Sequence, residues 1–297
     1  EHPASMSAMK KWAKNTQRRH IIVEHNDNLG TVDGRAYSKK LTSDVRVVSV
    51  VHTSPVTGMT VDLEKITQEV RNVTPECIIV VDGIQHSSHG AIDVQKYDID
   101  GYVVSPYKMF SRHGYGVAWA SDRLCALGKE QLVDGPAQNW ELGTRDAGSY
   151  ATFSDVVDYL DWLGSNFTNS ENTRDRLEAS SVAIKSHEQE LVDLVLNGSE
   201  NLVGLIKNKQ IEIIGDLAAT SREGVVSFYL KNNPSSLIVE KLRQRKIRVH
   251  IRKDDHYCGN ILGPLNQKDC IRFSICHYNS KAEVIEFLKA INEISAN

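Results

Sequence analysis

The sequence has few cysteines, and their positions suggest no pairing. The five are Cys77, Cys125, Cys258, Cys270 and Cys276. The count is odd and no Cys-x-x-Cys pair occurs, which argues against a disulfide framework and a structural zinc site. Unpaired thiols fit a reducing compartment, so we expect a cytoplasmic protein.

Long apolar runs, a charge bias and a signal peptide are also lacking. No apolar run approaches the ~18 residues that a membrane-spanning helix needs. The net charge is -3, with both signs mixed along the chain, so nothing favours nucleic acid or membrane as a partner. The first residues form no charged start followed by an apolar stretch. They also lack an initiator Met, so we expect the numbering to begin inside a longer natural chain.

Hydrophobic patterning in the first half alternates between helix and strand. Helical spacing covers residues 6–16, 33–42, 61–72 and 152–163, and short apolar runs cover 19–23, 45–51, 77–81, 102–105 and 114–119. Short apolar runs separated by helices predict an α/β layer with a mostly parallel sheet, which places ligands beyond the carboxyl ends of its strands. Asp82 and Ser105 each follow such a run.

The pattern changes in the second half. A long amphipathic segment at 173–196 is followed by strand signals near 211–215, 225–230, 247–251 and 271–276, and by helices at 235–245 and 280–294. This predicts a smaller α+β domain. We therefore divide the chain into domains 1–170 and 171–297, with the boundary between 165 and 185.

Two short motifs carry chemistry. In the first, Asp82 at a strand end precedes Gln85 by three residues. A carboxylate there can pair with a protonated pyridine nitrogen, and the amide can donate to a phenolic oxygen on the ring. In the second, Ser105 and Tyr107 offer hydroxyls for a phosphate, and Lys108 offers an amine for a Schiff base.

Each residue also has a simpler interpretation. Asp82 could cap a loop, Lys108 could be an exposed charge, and Tyr107 could be a packing aromatic. Their order and their strand-end placement together favour the chemical interpretation. The turn at 114–116 is rich in glycine, and the turn at 141–144 presents the hydroxyl of Thr144.

These motifs resemble a known family. Residues 1 to about 164 are similar to the cofactor domain of class V aminotransferases, which are pyridoxal-5′-phosphate (PLP) enzymes of fold type I and include cysteine desulfurases. The nearest variant is cysteine desulfurase-like, with Ser-Pro-Tyr-Lys at the lysine. The matching stretches are residues 1–4, 52–58, 81–85, 89–94, 105–108 and 141–144.

The resemblance implies a role for each matched residue. Lys108 would be the Schiff-base lysine, His2 would stack on the ring and act as an acid or base, Asp82 would pair with the ring nitrogen, and Gln85 would bind the phenolic oxygen. Ser105 and Tyr107 would bind the phosphate, Thr144 would bind the phosphate of a partner subunit's cofactor, and Arg272 would bind the substrate carboxylate. It thus implies a homodimer, an amino-acid substrate, and a fold type I large domain that is incomplete at its N-terminus. Arg272 could instead be a surface residue on an edge strand.

Three departures from the family pattern bear on the function. The chain begins at the His2 motif, so we expect these 297 residues alone to bind PLP weakly or not at all. Pro55 stands where the desulfurases carry an Asn that supports the ring oxygen. Cys258 is the only candidate sulfur acceptor in the matching C-terminal loop, and an unreactive, partly buried thiol is the alternative.

The resulting functional prediction is a PLP-dependent lyase or transferase acting on an amino acid, either a C–S lyase or desulfurase, or an aminotransferase. Epimerase-like activity and a truncated, non-catalytic dimerising relative are the alternatives. We expect no metal, because His86, His89 and His113 lack metal-ligand spacing. His89 is more simply a packing or hydrogen-bonding residue.

Overall fold

The structure is a computed structural model that describes residues 1–136 and 139–296. Residue 297, the end of the predicted second domain, lies outside this part. The helices are α1 (Pro3–Asn15), α2 (Gly34–Ser38), α3 (Leu63–Val73), α4 (Asp122–Cys125), α5 (Ala147–Gly164), α6 (Thr173–Asn197), α7 (Ser235–Gln244), α8 (Gly259–Leu262) and α9 (Lys281–Ala296). The strands are β1 (Val47–Val51), β2 (Ile78–Asp82), β3 (Gly101–Val104), β4 (Val117–Ala120), β5 (Gly198–Ser199), β6 (Leu202–Val203), β7 (Ile211–Ile214), β8 (Val225–Leu230), β9 (His250–Lys253) and β10 (Asp269–Ser274).

The first sheet has the order β1-β2-β3-β4. Strands β1, β2 and β3 run parallel, and β4 is antiparallel to β3. The core beside this sheet is built from branched side chains of the strands and the apolar stripe of α3, among them Val50, Ile66, Val70, Ile79 and Val81. These β-branched runs form strands because one face of the sheet is buried in this core and the other is partly covered. The mostly parallel sheet is the one predicted from the sequence.

The second sheet is antiparallel, in the order β7-β8-β10-β9. Helices α6, α7 and α9 bury their apolar faces against it. At the centre of this core, the Phe273 and Phe287 rings stack with their centroids 4.2 Å apart, and Phe228 packs against Phe287 edge-on. No described helix is both long and apolar enough to cross a bilayer.

Several predicted bounds shift by a few residues, and two predicted elements differ more strongly from the structure. Residues 19–23, predicted as a strand, are not one, and Ile22 is 52% exposed. The run pairs with no strand, so its apolar residues gain no buried sheet face. The helix predicted at 33–42 is shorter in the structure. Its N-cap is Asp33, whose Oδ1 accepts from Ala36 N, and α2 ends at Ser38.

Asp100 lies just before the amino end of β3, at the end of the first sheet opposite to the carboxyl ends of its parallel strands. It is 1% exposed and accepts hydrogen bonds from Arg71, from Arg123 and from the backbone N–H of Ile79. Burial disfavours the charge, but the arginines and the N–H hold the pKa of Asp100 below its ordinary value. One carboxylate thus joins β2, β3 and α3.

We expect Asp100→Asn to destabilise the fold by about 3 kcal/mol, because it leaves two cations beside a buried site without their counter-charge. Urea denaturation measures the change. Asp98→Asn is the matched control, since Asp98 also pairs with Arg71 but its side chain is 70% exposed; its effect should stay within about 0.5 kcal/mol. Equal losses in the two variants would contradict this role. Because the folded-state pKa is lowered, this contribution is present above pH ~4 and is lost as the pH falls further.

Candidate active site

Asp82 and Lys108 lie at the carboxyl ends of neighbouring parallel strands. Asp82 is the last residue of β2, and its Oδ1 accepts from Ile84 N at 3.0 Å, which turns the chain away from the sheet. Lys108 lies in a short helical turn, Pro106–Met109, that follows β3. Such ends meet at one edge of a sheet and form a ligand crevice there. The sequence order of the two motifs therefore becomes spatial proximity.

The Lys108 amine is held in a desolvated, polar setting. Its Nζ donates to Gln85 Oε1 at 3.2 Å. Burial lowers the pKa of Lys108 from 10.5 to about 8, against the raising effect of Asp82, and the charges of Arg272 and Arg252 add to the lowering. A pKa near 8 increases the fraction of free amine at neutral pH by about two orders of magnitude. A free amine is the form that attacks a carbonyl.

Arg272 brings the second sheet to this edge. It lies on β10, and its Nη1 donates to the backbone oxygen of Pro55 at 2.9 Å. Burial, together with the charge of Arg252, lowers the pKa of Arg272 to about 10. The Nε atoms of Arg272 and Arg252 are both buried without a hydrogen-bond partner in the described residues. Within that part of the chain neither arginine has an acidic partner, so the pair suits an anionic group.

Pro55, the departure from the desulfurase pattern, contributes through its backbone. Pro has no N–H or side-chain donor for a ring oxygen. Its carbonyl instead fixes one end of the Arg272 guanidinium. The structure therefore assigns Pro55 a contact with the candidate substrate arginine.

Behind Gln85 lies a set of buried polar side chains that the sequence analysis did not connect. His89 Nδ1 lies 2.7 Å from Glu188 Oε2, and Gln85 Nε2 lies 3.3 Å from His89 Nε2. His86 Nδ1 lies 2.5 Å from Glu223 Oε1 in a second buried pair. Glu188 had a sequence signal, since it interrupts an apolar stripe of α6 formed by Ile184, Leu191 and Val195.

The other predicted cofactor residues flank this centre. His2 is exposed and caps α1, with Nδ1 accepting from Ala4 N at 3.1 Å. The preceding Glu1 is half-buried and accepts a hydrogen bond from Ser49 of β1. Desolvation raises the pKa of Glu1, and the charge of Asp82 raises it further. The residue before His2 is therefore close enough to Asp82 for that charge to affect its pKa. No described residue hydrogen-bonds its Nε2.

The two predicted phosphate ligands are accessible. Tyr107 is 41% exposed, and its ring stacks on His113 at a centroid distance of 4.3 Å. Ser105 is half-buried and directly follows β3. Neither hydroxyl has a hydrogen-bond partner among the described residues. Both are therefore free to bind an incoming group.

Thr144 lies elsewhere in the single chain. It is exposed, in the segment before α5, and lines a cleft of about 1060 Å³ with Tyr115, Trp119 and Trp140. The lining of that cleft includes neither Lys108 nor Asp82. Thr144 and Lys108 thus do not line the same cleft, and the predicted role across a subunit interface stays a prediction.

Cys258 is enclosed. It is 1% exposed and packs with Val56, Ile261, Leu262 and Cys270 in a small apolar cluster. Burial raises the pKa of its thiol, although Arg252 and Arg272 act in the opposite direction. A buried thiol with a raised pKa is a poor nucleophile. This placement favours the unreactive alternative over the sulfur acceptor.

The residues at this edge fit PLP. The described residues offer a complementary group for each part of PLP: a desolvated amine for the aldehyde, an acid at a strand end for the ring nitrogen, an amide for the phenolic oxygen, and two unpartnered hydroxyls for the phosphate. The half-buried Arg272, which has no acidic partner among these residues, suits a substrate carboxylate. The unpaired Arg272 Nε is the most specific sign, because a buried donor without a partner costs about 1–3 kcal/mol unless a ligand satisfies it. The residues of this site are thus suited to holding an aldehyde cofactor on a lysine, within an α/β fold.

The family follows from comparison with known proteins. The model of the class-V aminotransferase family matches residues 1–287, and the chain belongs to that family. Class-V aminotransferases and cysteine desulfurases depend on PLP, so the cofactor predicted from the sequence is the cofactor of the family.

Individual relatives give the same picture. The chain is 28% identical over 263 residues to the aminotransferase-like protein FGM3 of Gibberella zeae, a match covering 86% of this chain and 60% of that protein. It is 23% identical over 285 residues to a probable cysteine desulfurase of Treponema pallidum, covering 90% and 63% of the two chains. The chain thus spans about 60% of the length of these curated relatives.

Solved structures confirm the predicted fold class. The apo cysteine desulfurase of Thermococcus onnurineus NA1 superposes with a TM-score of 0.80 at 20% identity, covering 100% of this chain and 71% of that one. The cysteine desulfurase CsdA of Escherichia coli gives a TM-score of 0.77 at 21% identity, covering 99% and 69%. The fold is that of the fold type I PLP enzymes.

Proposed function

We propose that this chain carries the catalytic lysine of a PLP-dependent enzyme that acts on an amino acid, as a C–S lyase or desulfurase or as an aminotransferase. The observation that carries the proposal is the Lys108 amine, desolvated, bonded to Gln85 and influenced by Asp82, beside the unpaired Arg272. Family membership supports it. The cysteine desulfurases among the relatives point to a sulfur-containing amino acid.

The chain's own residues divide the work. When bound, PLP supplies an aldehyde that captures an amine and a ring that withdraws electrons from the substrate. Asp82 holds a positive charge on the ring nitrogen, and Gln85 donates to the phenolic oxygen. Ser105 and Tyr107 bind the phosphate.

Substrate contacts come from the second sheet and from the lysine. Arg272 binds the α-carboxylate through two parallel hydrogen bonds, a geometry that a guanidinium favours. The Lys108 amine, with a pKa of about 8, takes and returns the proton at the substrate α-carbon. His2 is the second candidate for a proton transfer. We also propose a cytoplasmic homodimer in which Thr144 completes the partner's phosphate site.

Product analysis with cysteine as substrate tests the proposal. Sulfide with alanine indicates desulfuration, and sulfide with pyruvate and ammonia indicates β-elimination. If neither appears, other amino acids are assayed for transamination and for loss of optical rotation, which would indicate epimerisation. Absence of all four reactions in protein that retains PLP would overturn the proposal.

Cys258→Ser is expected to retain activity within about twofold, because a buried thiol with a raised pKa is a poor sulfur acceptor. The melting temperature should fall modestly, as one polar group enters an apolar cluster. Cys270→Ser is the matched control in the same cluster. Loss of alanine formation in Cys258→Ser alone would contradict the prediction and restore the sulfur-acceptor role.

A further inference from the structure

His89 connects the lysine site to helix α6. Its Nδ1 lies 2.7 Å from Glu188 Oε2, and its Nε2 lies 3.3 Å from Gln85 Nε2. His89 is 4% exposed and Glu188 2%, so both groups are removed from water. Gln85 in turn accepts from Lys108 Nζ. The four side chains form one chain of contacts from the lysine to the second core.

The Gln85 amide stands between two groups that compete for its oxygen. As placed, the oxygen faces Lys108 and the nitrogen faces His89. This orientation suits an ammonium on Lys108 and a neutral His89, whose Nε2 can accept from the amide nitrogen while Nδ1–H donates to Glu188. If His89 gains a proton, its Nε2–H needs an acceptor. A half-turn of the amide then presents oxygen to His89 and nitrogen to the lysine.

Several charges act on His89. Burial opposes its positive form, but the hydrogen bond and the charge of Glu188 raise the pKa of His89, and Glu223, on the segment before β8, raises it further. Lys108 opposes the proton, and His277, after β10, also carries a repulsive charge when protonated. The lowered pKa of Lys108 and the raised pKa of His89 thus approach each other.

We propose that His89, held by Glu188, is a positioning residue that sets the orientation of the Gln85 amide and through it the charge on Lys108. With His89 neutral, the amide oxygen stabilises the Lys108 ammonium. With His89 protonated, the amide nitrogen faces the lysine and the free amine is favoured. The rotation breaks no covalent bond and moves no proton through the amide.

The device also serves the cofactor, and this part rests on the proposed function. Gln85 can donate to a phenolic oxygen only when its nitrogen faces the pocket. Protonated His89 selects that orientation. His89 and Glu188 thereby link two states: the free-amine form of Lys108 and the orientation of Gln85 in which its amide nitrogen can donate to the ring oxygen.

The test measures Lys108 in the 297-residue chain without cofactor. A lysine-directed acylating reagent is applied across pH, and peptide mass analysis gives the labelling rate at Lys108. In Glu188→Gln, His89 becomes neutral and the amide oxygen stays on the ammonium. The midpoint of Lys108 labelling should then rise by roughly half to one pH unit, the equivalent of one hydrogen bond to the charged form. Mere loss of a neighbouring negative charge would lower it.

Glu223→Gln is the matched control, because it removes the carboxylate of the other buried His–Glu pair, which does not contact Gln85. Glu223 acts on His89 through its charge and forms no hydrogen bond to it among the described residues, so any rise in the Lys108 midpoint should be well below that in Glu188→Gln. His89→Asn cannot carry a charge and repeats the expected rise if Glu188→Gln folds poorly. A fall or no change in Glu188→Gln and His89→Asn, or an equal rise in Glu223→Gln, would overturn the inference.

Histidine ¹⁵N NMR gives a second readout on the same protein. The resonance missing in His89→Asn identifies His89, whose pH midpoint should lie above ~6.5 in the unmodified chain and fall by about one unit or more in Glu188→Gln. An unchanged midpoint overturns the role of Glu188. Neither readout here uses the cofactor. Failure of PLP to attach at Lys108 would therefore contradict the proposed function and leave this inference standing.

Discussion

Replacing Lys108 with alanine is expected to abolish turnover of the amino-acid substrate, by at least about a thousandfold, because it removes both the covalent anchor and the group that moves the α-proton. Steady-state assays at saturating PLP measure the loss. The fold should persist, since the Lys108 side chain forms only one hydrogen bond within the described residues, to Gln85.

Lys129→Ala is the control, because it removes a different lysine from the chain. Lys129 Nζ contacts the Cys125 backbone and the Trp140 ring, away from Gln85. Its activity should match that of the unmodified protein. Substantial turnover in Lys108→Ala, or an equal loss in Lys129→Ala, would remove Lys108 from the centre of the site.

Asp82→Asn is expected to lower turnover by about a hundredfold to a thousandfold, the usual cost of removing one fixed charge from a reacting centre. The ring nitrogen loses its counter-charge. Lys108 also loses the carboxylate that raises its pKa, so that pKa should fall below about 8. The labelling midpoint of Lys108 in the cofactor-free chain measures this second effect.

Asp93→Asn provides the comparison for Asp82→Asn, because Asp93 lies on the following segment and pairs with Lys96 and Arg174 at the surface. It should change neither turnover nor the Lys108 midpoint appreciably. A Lys108 midpoint that rises in Asp82→Asn would contradict the electrostatic contact between the two residues. Unchanged turnover would exclude Asp82 as the partner of the ring.

The sequence predicted the parallel sheet well, because its signal is local. Runs such as residues 77–81 are apolar throughout, which only strands buried on both faces tolerate, and β2 appears at Ile78–Asp82. Residues 19–23 carry a similar run but find no pairing strand. Pairing depends on distant segments, and the composition of one run cannot report it.

The site was predictable where it follows strand ends. Asp82, Gln85 and Lys108 lie together because β2 and β3 are parallel neighbours. The contact of Arg272 with Pro55 joins residues 217 positions apart, and its donor–acceptor pairing is a product of tertiary packing. The enclosure of Cys258 likewise comes from α8 and β10, so the sequence around it left open whether the thiol is reactive.

Covalent trapping tests the central claim most directly. The chain is incubated with PLP at millimolar concentration and reduced with borohydride, and peptide mass analysis locates the fixed cofactor. Trapping works even where binding is weak. The account predicts that the label lies on the peptide containing Lys108, ahead of every other lysine, and that it is lost in Lys108→Ala. Label spread evenly over surface lysines, with Lys108 unmarked, would contradict it.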